Sequence, residues 1–132
     1  MNKAKIDRDI PAAYKALNDA KIVEGGKIDA GFRGQIATFG AAVSMGSLLS
    51  AIAFFSEKNK SDVSREKLLD ALFLIIRTHD GNGSGDCKDL YQYAAAHPDC
   101  QEEVLNAAIA LKLAINLYPR REKNSDKDEQ QE

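Results

Sequence analysis

The sequence predicts an all-α protein, a compact bundle of about six helices. Apolar residues recur at three- and four-residue spacing through most of the first 118 positions. No segment alternates apolar and polar residues as a half-buried strand would. Clusters of Gly, Pro, Ser and Asp separate the periodic stretches. With 132 residues, 44% hydrophobic and 29% charged, the chain has the size and composition of one soluble domain whose core needs no disulfide or metal.

The first stripe is Ile6, Ile10, Ala13, Leu17 and Ala20. Pro11 suits only the start of a helix, so regular helix is expected from near Asp9, ending at Gly25 and Gly26. Asp29 is placed to cap a second helix, with Phe32, Ile36, Phe39 and Val43 on one face. A turn near Gly46 leads to a third stripe, Leu48, Ile52 and Phe55. The polar segment SEKNKSD follows, and Ser64 can cap a fourth helix. Its Leu68, Leu69, Leu72, Phe73, Ile75 and Ile76 make a face wide enough to need neighbours on more than one side. Residues 80–86, DGNGSGD, break that helix, and a short one holding Leu90, Tyr91 and Tyr93 is expected next. Asp99 and Glu102 have capping-box spacing ahead of the last helix, where Val104, Ala108, Leu111, Ile115 and Tyr118 form the stripe. Lys112 and Asn116 are polar insertions in it. Beyond Pro119 the chain holds no aliphatic or aromatic residue, so 1–118 is expected to be a single helical domain and 119–132 a charged, disordered tail.

The run Gly34–Ser56 is 23 residues long without a charge, enough to cross a bilayer as one helix. Six Gln, Thr and Ser residues interrupt it, Gly40 and Gly46 weaken it, and its flanks carry neither positive-inside asymmetry nor an aromatic belt. A bent pair of helices inside a soluble bundle is therefore expected, with no membrane partner. Cys87 and Cys100 are too few for a secreted disulfide framework and no signal peptide is visible, which makes a reducing cytoplasm the expected location.

Formal net charge is −2, which argues against a protein that grips nucleic acid unaided. The charge is uneven. Residues 1–33 carry seven Lys/Arg against five Asp/Glu, whereas residues 80–106 carry Lys88 alone against six carboxylates. Lys15, Arg33, Lys58, Lys60, Arg65 and Lys67 lie at or beside exposed helix edges, where they could follow a phosphate backbone without reading bases. Lys112, flanked by apolar turns, either snorkels or faces a partner.

Signatures of chemistry are sparse. Asp80, Asn82, Ser84 and Gly85 fit positions 1, 3, 5 and 6 of a calcium loop, but the twelfth position is Tyr91 instead of a bidentate Glu. His79, Cys87, His97 and Cys100 are zinc-ligand types without a common zinc spacing. No P-loop, nucleophile elbow or His-Glu-x-x-His is present, and no carboxylate reads as lying inside an apolar helix. No catalytic residue, metal, cofactor or small-molecule substrate is expected.

The segment FRGQIATFGAAVSMGSLLSAIAFFSEK resembles the small subunit of the type III-B CRISPR effector complex, the Cmr RNA-targeting module. Phe32, Arg33, Phe39 with Gly40, Val43, Ser47 with Leu48, Phe54 and Lys58 carry the likeness, which extends over most of residues 1–118. Gly40 stands where that family usually has Pro, its Gly is displaced to Gly46 or replaced by Ser47, and the last helix lacks its Trp and basic cluster, keeping Lys112, Arg120 and Arg121. The resemblance implies a compact helical subunit of antiviral defence without catalytic residues. Copies of it would stack beside the backbone subunits, with a basic face toward guide RNA and target RNA. A helical adaptor that contacts only protein, through Gly40, Ser44, Ser47 and Ala51, is the alternative.

Overall fold

A computed structural model of the chain describes residues 2–29, 31–56, 65–80 and 85–121. The chain is all-α, and its described residues form six helices: α1 (Lys3–Asp19), α2 (Gly31–Met45), α3 (Leu48–Ser56), α4 (Arg65–Asp80), α5 (Leu90–Ala96) and α6 (Gln101–Ile115). Helix α6 packs against α1, α2 and α4, and it is the axis of the bundle. Its Val104, Ala107, Ala110, Leu111 and Ala114 are fully buried. Small residues at these positions let neighbouring helices approach closely, while Leu17, Phe39, Ile75 and Ile76 fill the space between them.

Several expectations are met in detail. Phe32, Ile36, Phe39 and Val43 are the buried face of α2. Leu48, Ile52 and Phe55 are buried on α3, and Phe55 packs edge-on against Phe39, with ring centroids 5.2 Å apart. All six apolar residues named for α4 are buried. The Asp29 carboxylate accepts the Gly31 N–H at 2.8 Å at the head of α2. The uncharged run is split at Gly46 and Ser47, and no helix among the described residues is long and apolar enough to cross a membrane.

Other expectations are corrected. Helix α1 starts at Lys3, six residues before Asp9, and carries Pro11 inside it. Asn2 caps it through Lys5 N–H, and the burial of Ile6 and Asp9 fixes the first turns, which outweighs the single hydrogen bond that proline removes. Gly25 and Gly26 do not end that helix. They form the two-residue loop of a hairpin between β1 (Val23–Glu24) and β2 (Lys27–Asp29), and both have the positive φ that this tight turn demands. A third short strand, β3 (Arg120–Arg121), pairs parallel to β2, and Ile28 N–H donates to the Pro119 carbonyl at 3.0 Å. Small strands thus exist where none was expected, the last of them at Arg120–Arg121. They are too short for a period-two pattern to show. Asp99 is not the cap of α6. That position falls to Cys100, which makes no side-chain capping bond, whereas α5 is capped by Asp89 accepting Gln92 N–H at 2.9 Å.

Candidate nucleic-acid interface

Among the described residues, the basic side chains singled out from the sequence do not form one stripe. Arg65, the first residue of α4, is half-buried and joins three helices. Its Nε donates to Gln35 Oε1 of α2 at 3.1 Å, and its guanidinium lies 5.1 Å from the Phe54 ring and 5.3 Å from the Phe55 ring of α3. Phe54 is 50% exposed, so a planar cation and an open aromatic ring are presented together. Two residues further on, Lys67 donates to the Lys21 carbonyl at 3.1 Å and lies 3.7 Å from Glu24. Lys21 has a φ of 62°, which turns the chain out of α1 and toward the hairpin. Half of the charge on this corner is therefore spent within the molecule.

Arg33 and Lys112 form a second group. Helical spacing puts Arg33 on the face of Ala37, Gly40 and Ser44, and Lys112 lines the hollow over Ile36, Ala37, Leu105 and Ile109. Lys15 is exposed on α1. Lys58 and Lys60 lie outside the described residues.

The residues considered for zinc are not gathered, and among the described residues no group of three or more His, Cys, Asp or Glu is placed to hold a metal. His97 stacks on Tyr93, centroids 4.3 Å apart. Cys100 is buried, and that burial, with Glu103 and Asp99 nearby, pushes its thiol up to about 11 despite a backbone hydrogen bond that lowers it. Such a thiol is withheld from nucleophilic chemistry at neutral pH. The calcium-like loop falls partly on 81–84, outside the described residues.

A buried polar seam runs between α1, α4, α5 and α6, contrary to the expectation that no carboxylate lies inside an apolar helix. Asp9 is 1% exposed and accepts Arg8 Nε at 3.1 Å. The His79 ring sits between two acids, with Nε2 3.7 Å from Asp9 Oδ1 and Nδ1 3.8 Å from Glu103 Oε2. Both distances are too long for hydrogen bonds, and Asp9 Oδ2 and His79 Nε2 have no hydrogen-bond partner among the described residues. Tyr93 donates its hydroxyl to Glu103 Oε1 at 2.6 Å, and buried Asn106 accepts the Asn2 N–H at 3.3 Å. One signal in the sequence was available: Asp9 stands three residues after Ile6 and four before Ala13, on the apolar stripe itself.

A cleft lies between α3, α4 and α5, lined by Glu66, Asp70 and Asp89 with Ile52 and Tyr91. Burial raises the Asp70 carboxyl above its ordinary value, helped by the negative charges of Glu66 and Asp89.

No family model matches this chain, and comparison with curated proteins and with solved structures finds no match.

Proposed function

We propose that this chain is a non-catalytic, RNA-associated subunit of a type III-B CRISPR effector complex, placed beside the backbone subunits in the cytoplasm. The observation that carries this reading is the Arg65–Phe54 pair. A guanidinium stacked beside a half-exposed ring is the kind of platform on which an unpaired nucleobase rests, with the cation available to a flanking phosphate. The segment whose sequence resembles that family spans α2 and α3, the two helices that hold Arg65 through Gln35, Phe54 and Phe55. A dispersed set of cations on a chain of net charge −2 suits a subunit that meets RNA within an assembly, where neighbouring copies add contacts, better than one that binds it alone.

Affinity purification of the tagged chain from its native cell is expected to recover small RNA together with other effector subunits. Recovery of neither sinks the reading. Within the recovered complex, exchanging Arg65 for Glu should weaken target-RNA association and flatten its salt dependence. A protein-only adaptor is the second reading, favoured by the open groove between α2 and α6. Intact assembly with no RNA crosslink to this chain would decide for it.

A further inference from the structure

The groove between α2 and α6 is unfilled by side chains of the described residues. It has a volume of about 650 Å³ over Gly40, Ser44, Leu105 and Ile109, and continues into a hollow of about 270 Å³ that ends at Lys112. Among the described residues a Cβ added at Gly40 would meet nothing within 4 Å, so no contact there calls for glycine in the middle of this helix. On α6, Glu102, Leu105, Ile109, Lys112 and Leu113 share the outward face, and Leu113 is 44% exposed. The central helix of the bundle thus carries an apolar face with no partner among the described residues.

The charges say what fits it. Glu102 marks one end of the channel, whereas Lys112, with Arg33 one turn before Ala37, marks the other. Among the described residues neither Glu102 nor Lys112 has a hydrogen bond or ion pair. A partner must therefore present an amphipathic helix with a positive end, a short apolar centre and a negative end, running antiparallel to α6. Helix α6 is itself such an element.

We propose that two copies of this chain pair about a two-fold axis through this groove. With the axis midway between Leu105 and Ile109, Leu105 of each copy faces Ile109 of the other, and each Glu102 faces the other copy's Lys112. Gly40 and Ser44 leave room for the incoming helix. The contact is isologous and closes at two copies, so it differs from the open stack that the CRISPR reading implies, and it does not depend on that reading.

Sedimentation of the purified full-length chain over a concentration series tests this. A monomer–dimer equilibrium is expected. Glu102→Lys or Lys112→Glu alone should weaken it roughly tenfold by placing like charges together, and E102K/K112E in one chain should restore it. Gly40→Leu, which fills the groove from within, should abolish pairing while the circular dichroism spectrum is kept. A monomer at every concentration overturns the proposal, and so does a dimer that the double exchange fails to restore. The two exchanges stand at exposed or half-buried positions, so the test survives even if Gly40→Leu misfolds.

Discussion

Two faces of α6 make opposite use of the same kind of helix. Toward α1 and α4 it meets a closed seam, where Asp9 and Asn106 are buried and the His79 ring lies between the Asp9 and Glu103 carboxylates, 3.7 and 3.8 Å away. Toward α2 it leaves a channel with small residues on one wall and an unfilled space at Gly40. The seam derives its order from groups that are expensive to bury and so tolerate few arrangements. The groove derives its availability from the short side chains of α2 along one wall, Gly40 and Ser44. A polar residue on an apolar stripe and a glycine within one are both local exceptions, but the first belongs to the fold and the second is free for something outside it.

The largest effect should come from breaking the seam. Asp9→Ala is expected to cost about 3 kcal/mol in urea denaturation, because it takes the buried carboxylate away from Arg8 and opens a void between the helices. Replacing both groups, Asp9→Leu with His79→Leu, should recover most of that loss, since two apolar side chains need no partners. A double variant no better than Asp9→Ala would mean that packing, not charge, sets the seam. Asn2→Ala, which removes the cap of α1 beside the seam, should cost about 1 kcal/mol.

The groove should respond with the opposite sign. Gly40→Ala is expected to stabilise the isolated chain by up to about 1 kcal/mol in the same denaturation measurement. A loss instead would show that the helix relies on glycine there.

The smallest effect belongs to the cleft of Glu66, Asp70 and Asp89. Because the folded protein holds the Asp70 proton more tightly than the unfolded chain, stability attributable to this group falls as pH rises from the ordinary carboxylate value through the raised one. Asp70→Asn should therefore raise the denaturation midpoint slightly at pH 7, with the gain fading in acid. An equal gain at both pH values would exclude titration as its source.

The buried faces of α2, α3 and α4 were legible in the sequence because each repeats its apolar residues over two or more turns. What escaped was set by single contacts. Pro11 reads as a helix start until Ile6 and Asp9 are found buried ahead of it. Gly25–Gly26 reads as a helix stop equally well as a hairpin loop, and only the pairing of Val23 with Ile28 decides between them. Of the candidate site, the residue types were visible but their grouping was not: Arg65 with Phe54 and Gln35 depends on how three helices meet.

The parallel pairing of Ile28 with Arg120 joins positions 92 residues apart in sequence. A contact of that span repays its loop-closure entropy only after the helices between have docked, so it belongs to the last stage of folding. Removing the residues after Pro119 should then leave the refolding rate nearly unchanged and quicken unfolding, which stopped-flow kinetics would resolve. The short ladder works as a late clasp: it adds little to how fast the bundle assembles and more to how long it stays assembled.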